Sequence, residues 1–254
     1  MKITPLWIKS AIFLQNLNSL FLDTIFPINC IVCGVENYWL CEVCSKKIKL
    51  RDQQFCPLCE KIITPDGQAC FACKKKSDLS GILVAASYQD PIISKAVHLF
   101  KYRFIKELSK PLATLIVRAI QSYELPLPEL IIPIPLHPRR LRWRGFNQST
   151  LLAKDVAENL LPDSPLTICT TALVRNRYTL PQMSLRSHHD RNLNISNAFT
   201  VSDVSAIKNK RILLVDDIAT TGSTIFECAR ILKAAGAKEI YATVIARQEY
   251  KQKS

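Results

Sequence analysis

The sequence predicts an α/β protein, a doubly wound parallel sheet with a small amino-terminal cysteine-rich module. Three observations carry that expectation. Strand-like apolar runs alternate with helical patterns over residues 81 to 254, as crossover units do. Eight of the ten cysteines fall as four C-x2-C pairs within the first 73 residues. With 254 residues the chain can bury a full core and still carry a smaller module beside it.

Residues 1 to 28 are apolar but interrupted by Lys9, Gln15, Asn16, Asn18 and Asp23. They therefore lack the unbroken apolar stretch of roughly 18 to 20 residues that a membrane span needs. No small-residue cleavage site precedes Cys30, where Phe26, Pro27 and Asn29 stand instead. Ile8, Ile12, Phe13, Leu17, Leu20, Phe21 and Ile25 recur at helical spacing and predict an amphipathic helix. Such a helix docks on its own protein, or on a membrane surface or partner.

The module at 29 to 76 carries Cys30/Cys33, Cys41/Cys44, Cys56/Cys59 and Cys70/Cys73, separated by seven, eleven and ten residues. Each C-x2-C turn presents two thiolates to one ion, and two turns complete a tetrahedral site. Two structural zinc ions are expected, because four thiolates leave no open position for catalysis. Consecutive pairing closes shorter loops than a cross-brace and is favoured on that ground. Clustered thiolates imply a reducing, cytoplasmic setting.

The lysine run in KKKSDLSG marks the boundary to a domain at 81 to 254, and ILVAASY opens its first strand. Helices over 92–100 and 108–122 lead to the strand LIIPIP at 130 to 135. A helix at 148–160, a strand near Leu173 and a polar stretch from Arg175 to Asn197 follow. A strand at 211–215, a helix at 224–235 and the strand IYATVIA at 240 to 246 close the chain. Ligands of such sheets sit beyond the carboxyl ends of the strands.

The stretch RILLVDDIATTGST stands at such an end. Asp216 and Asp217 are two adjacent anions, costly to desolvate unless something binds beside them. Thr220, Thr221, Gly222, Ser223 and Thr224 open the next helix, where backbone N–H groups and hydroxyls make a cradle for a phosphate. Ionised carboxylates accept only, which suits the vicinal hydroxyls of a sugar. A ribose 5-phosphate satisfies both halves.

Those residues resemble the phosphoribosyl pyrophosphate signature of type I phosphoribosyltransferases. The resemblance implies that Asp216 and Asp217 hold the ribose hydroxyls and that Thr220 to Thr224 hold the 5-phosphate, with Mg2+ as the accompanying cation. With the four cysteine pairs, IPIPLHPRRLRWRGFNQ at 132 to 148 and RNRYTLPQMSLRSHHDRNLNISNAF at 175 to 199, nearly the whole chain resembles the ComF family, which includes GntX-like proteins. The resemblance implies a part in natural transformation, a single-stranded DNA partner, and contact with DNA-uptake machinery proteins at the inner membrane. It supplies no confirmed acceptor for transferase chemistry, so catalysis stays undecided.

Charge bears on both ligands. The net formal charge is +13, and residues 81 to 254 hold 24 basic against 14 acidic side chains. Arg139, Arg140, Arg142 and Arg144 fall beside Trp143 and Phe146, a pattern suited to the phosphates and stacked bases of a single strand. In the transferase reading the same loop binds pyrophosphate. Lys101, Tyr102 and Arg103 either extend this basic surface or end a helix with a cationic last turn. His188 and His189 lie in a stretch that corresponds to a lid over the site, while His98 and His137 have no evident partner. Three functions follow: a single-stranded DNA-handling factor with a retained ribose-phosphate pocket, an active Mg2+-dependent phosphoribosyltransferase, or a scaffold bridging proteins.

Overall fold

A computed structural model describes residues 28–179 and 195–248. The expected amino-terminal helix, His188 and His189 lie outside the described residues.

The cysteine module holds two short helices, α1 (Glu42–Lys47) and α2 (Phe71–Lys74), and an antiparallel pair, β1 (Gln54–Phe55) with β2 (Ile63–Thr64). The main sheet has four strands, β3 (Gly81–Ser87), β4 (Leu130–Pro133), β7 (Arg211–Ala219) and β8 (Glu239–Arg247). They run in the order β3-β8-β7-β4, and every pairing is parallel. Their residues form near-continuous buried apolar runs, as both-faced burial requires.

One face packs on α3 (Pro91–Tyr102), α4 (Ser109–Ser122) and α6 (Gln148–Leu160). Helix α3 starts where it does because Asp90 accepts hydrogen bonds from the Ile92 and Ile93 N–H groups and Pro91 lacks an N–H to satisfy. Its buried residues, Ile93, Ala96, Val97 and Phe100, make one helical stripe. Phe100 is wholly enclosed, so Phe100→Ala should cost about 3–5 kcal/mol. The other face packs on α7 (Ser223–Ala234) through Ile225, Cys228, Ala229 and Leu232.

The strand expected near Leu173 exists but not in the main sheet. β5 (Leu173–Arg175) pairs antiparallel with β6 (Phe199–Val201) in a separate two-stranded sheet. Three residues are too few to span the core, and its place at the sheet edge is taken by residues 167 to 169, which bond Ile131. A second difference concerns PRRLRWR, read as loop, which forms the short helix α5 (Pro138–Arg144). His137 Nδ1 accepts from the Arg139 N–H at its start, and Gly145 stops it at φ 76°.

The cysteine module is fixed to the sheet. The Gln54 carboxamide donates to the Val84 carbonyl at 2.9 Å and accepts from its N–H at 3.0 Å, so it occupies the open side of β3. Gly67, at φ 75°, accepts from the Ile82 N–H through its carbonyl, and a Cβ there would lie 2.2 Å from the Ile82 oxygen. Near the first cluster, Leu40, Cys41, Cys44 and Ile48 belong to the same apolar core as α4.

Candidate functional site

Beyond the carboxyl ends of the strands lies a cleft of about 230 Å³. Its floor is the opening motif. Strand β7 continues through Asp216 and Asp217 to Ala219, past the expected end at Val215, because β8 pairs with it that far. The two carboxylates are thus held by strand backbone rather than by a loop.

Asp217 is buried, and its Oδ1 lies 2.9 Å from Lys101 Nζ. Asp216 Oδ1 accepts from the Ser149 hydroxyl at 2.8 Å and from the Asp217 N–H at 2.9 Å. Burial pushes the Asp216 carboxyl from 3.8 up to about 7, and Asp217 pushes it the same way; Lys101 and Ser149 only partly offset them. Burial alone would lower the Lys101 ammonium, but Asp217 and Asp216 outweigh it and hold the lysine above its ordinary value. Lys101 ends α3, so the cationic last turn of HLFKYRF is an ion pair with the acidic motif.

The four arginines of PRRLRWR separate. Arg140 and Arg144, one helical turn apart, line the cleft, whereas Arg139 and Arg142 are exposed with Trp143. Arg140 donates to the Thr179 carbonyl at 3.0 Å and Arg144 to Gln148 Oε1 at 3.0 Å. His137, without an evident partner in sequence, caps α5 and meets Tyr178 edge-on, with Arg139 and Arg140 close over the same Tyr178 ring.

Arg175 joins them from β5. It is buried over the Phe199 ring and bonded to the Thr179 hydroxyl. Burial, then Arg140, lowers its guanidinium to about 10. Lys101, Arg140, Arg144 and Arg175 therefore face two carboxylates across one cleft. Among the described residues the Nε atoms of Arg144 and Arg175 are buried without a hydrogen-bond partner. Buried donors of this kind call for an acceptor, and an anionic oxygen is the strongest.

The Thr/Gly/Ser loop divides as well. Thr220 and Thr224 line the cleft with the aspartates. Thr221 and Ser223 are buried, their hydroxyls 2.6 Å apart, and line a second hollow against Glu60, Phe226 and Arg230. Gly222, at φ 78°, turns the chain into α7. A Cβ there would crowd the Phe226 ring at 3.0 Å, and the left-handed conformation favours glycine.

Lys101, Ser149 and Arg175 are the site residues that sequence reasoning did not assign. For Lys101 the signal was present as a cation at a helix end, but its partner stands on a distant strand. Arg175 heads the polar stretch, and nothing in its neighbourhood marks which strand it belongs to.

The cysteines form two clusters, Cys30/Cys33/Cys41/Cys44 and Cys56/Cys59/Cys70/Cys73, with all four sulfurs of each within 4.8 Å of one another. That is the consecutive pairing. Cys33 and Cys41 sulfurs are 3.7 Å apart and those of Cys59 and Cys70 4.0 Å, near the ~3.8 Å edge of a tetrahedron with 2.3 Å zinc–sulfur bonds. Backbone N–H groups of Lys61 and Ile62 bring the Cys59 thiol down to about 6, against the effect of burial, which favours a thiolate ligand. Donor set and spacing both fit structural zinc.

The comparisons with known proteins agree with this architecture. Residues 21–78 match the double zinc ribbon domain, and residues 147–254 match the phosphoribosyl transferase domain. Competence protein F of Haemophilus influenzae is 31% identical over 232 residues, 87% of this chain and 98% of its own. DNA utilization protein YhgH of Escherichia coli K12 is 31% identical over 218 residues, 84% of this chain and 92% of its own. Among solved structures, the glutamine phosphoribosylpyrophosphate amidotransferase from B. subtilis covers 55% of this chain and 27% of its own, at 18% identity and a TM-score of 0.37. Among the described residues no helix is long and apolar enough to cross a membrane. Two four-cysteine ribbons joined to a parallel phosphoribosyltransferase-type sheet, in the span and order of these relatives, place the chain in the competence protein F (ComF) family.

Proposed function

We propose that this chain is a DNA-uptake factor of the competence type, which binds single-stranded DNA and uses the cleft to bind phosphoribosyl pyrophosphate or a related ribose phosphate. The observation that supports the cleft reading best is the opposition of Asp216 and Asp217 to Lys101, Arg140, Arg144 and Arg175 in one hollow. The aspartates offer acceptors to a ribose diol, and the cations offer a seat to phosphate and pyrophosphate. Thr220 and Thr224, at the start of α7, complete the phosphate end. Mg2+ would accompany the ligand, its charge favouring the ionised form of Asp216.

The relatives' names, competence protein F and DNA utilization protein, support the DNA side of the reading. On the protein itself, the exposed Arg139 and Arg142 beside Trp143 offer phosphate and base contacts outside the cleft. Two ligands then have two separable surfaces on one short helix. Contact with uptake-machinery proteins at the inner membrane belongs to the same proposal.

Calorimetry of the full chain against phosphoribosyl pyrophosphate, with and without Mg2+, and fluorescence anisotropy against a labelled single strand test both halves. Each ligand then serves as competitor of the other. Saturable binding of both with little competition supports the reading. No phosphoribosyl pyrophosphate binding refutes the cleft assignment, and no strand binding refutes the DNA assignment. Pyrophosphate release with a defined base or amine acceptor would instead make the protein a transferase.

A further inference from the structure

The carboxyl end of β8 carries an arginine that neither ligand reading uses. Arg247 is buried, with only 7% of its surface exposed, yet it reaches two separate parts of the chain. On one side its Nη2 pairs with Glu60 and lies 3.4 Å from the Pro57 carbonyl. Pro57 and Glu60 follow Cys56 and Cys59 directly, so both belong to the first turn of the second cysteine cluster. On the other side Nε lies 3.4 Å from the Thr220 carbonyl and Nη2 3.4 Å from the Thr221 carbonyl. Those carbonyls are the backbone of the Thr/Gly/Ser loop.

A buried guanidinium is costly unless its donors are satisfied, and here the acceptors come from the metal turn and the loop together. The base beneath is rigid: β8 pairs with both β3 and β7 up to this residue, and Gln54 and Gly67 fix the module to β3. A change in the Cys56–Cys59 turn therefore has a short polar route through Arg247 into the loop.

We propose that Arg247 is a positioning residue that couples the second four-cysteine site to the Thr220–Thr224 loop, so that metal occupancy of that site sets the order of the loop. The consequence for ribose-phosphate affinity rests on the cleft reading given above; the coupling itself does not. With metal bound, the Cys56–Cys59 turn holds Pro57 and Glu60 where Arg247 needs them, and Arg247 holds both loop carbonyls. With the metal removed the turn loses its closure, Glu60 and Pro57 leave, and the guanidinium is drawn toward water and away from the loop.

Hydrogen exchange of the full chain, read on peptides covering residues 219 to 225, tests the coupling with no ligand present. Wild type, Glu60→Gln and Arg247→Met are compared before and after a zinc chelator. Chelation should speed loop exchange in wild type roughly fivefold or more, the lower end of usual coupling strengths. Arg247→Met should exchange fast already and respond little to chelator. Glu60→Gln, at a half-exposed position that keeps the fold, should lie between them before chelation and keeps the test valid should Arg247→Met fold poorly. Unchanged loop exchange on chelation overturns the proposal, as does an equal response in wild type and Arg247→Met or a wild-type rate in untreated Glu60→Gln. A parallel phosphoribosyl pyrophosphate titration separates the outcomes: a coupled loop in a chain that binds no such ligand refutes the cleft reading alone.

Discussion

Asp216→Asn should make the protein more stable, and more so as pH rises. In the folded chain Asp216 keeps its proton to about pH 7, whereas the free carboxyl loses it near 3.8. Between those two pH values the folded state binds the extra proton, so stability falls as pH rises through the window. Above about pH 7 the folded state carries the charge and the whole penalty. A shift of about three units at 1.36 per unit sets a ceiling of ~4 kcal/mol on that penalty, and the partial exposure of Asp216 brings the expected value nearer 2. Asparagine keeps an oxygen for the Ser149 hydroxyl and the Asp217 N–H, so the contacts survive while the charge goes. Urea denaturation of wild type and variant at pH 4.5 and pH 8 reads the effect. About 1 kcal/mol of the penalty is already present at pH 4.5, so the difference in unfolding free energy should move in the variant's favour by roughly 1–3 kcal/mol between the two. A difference that is the same at both pH values would refute the reasoning, for it would mean that Asp216 titrates alike folded and unfolded.

Lys101→Met leaves the buried Asp217 and the half-buried Asp216 without their nearest cation, so at pH 7.5 it should lose about 3 kcal/mol or more of stability, recovering toward pH 5 as Asp216 takes up its proton; a pH-independent loss would mean packing alone. Arg139→Ala with Arg142→Ala should flatten the log–log salt dependence of single-strand binding by ~1.4, at 0.7 per lost phosphate contact, and leave phosphoribosyl pyrophosphate affinity unchanged. Arg140→Ala with Arg144→Ala should do the reverse, and identical behaviour of the two pairs would show that the helix does not divide them. Elemental analysis of freshly reduced protein should find two zinc ions per chain and one in Cys59→Ser; no zinc in wild type would remove the metal assignment.

The parts of the fold legible from sequence were those encoded locally. β3 and β7 each contain an apolar run of four or more residues, β8 is mostly apolar, and the C-x2-C turns state their chemistry in four residues. The acidic pair stood out as a candidate site because two neighbouring carboxylates on a core strand have no local remedy. What stayed hidden was set by partners distant in the chain. The end of β7 depends on how far β8 pairs with it, and the place of β5 depends on Phe199 to Val201 across a long connection. Helix α5 has start and stop signals in His137, Pro138 and Gly145, but seven residues are too few for a periodic pattern, and arginines dominate its reading. Lys101 looked like an ordinary helix end because its partner, Asp217, is brought to it only by the sheet.

The position of Gln54 against Val84 determines how this protein can be divided. A fragment beginning at Gly81 holds every strand of the main sheet, yet it would present β3 with a bare row of backbone donors and acceptors. Unpaired strands of that kind recruit other strands, so such a fragment should self-associate and precipitate. On the opposite side residues 167 to 169 already cover β4, whereas among the described residues of the fragment none covers the outer edge of β3. A fragment that keeps the β3 edge covered must begin ahead of Gln54, and a ribbon module lost to metal starvation would leave the cell with a sticky sheet rather than a working half.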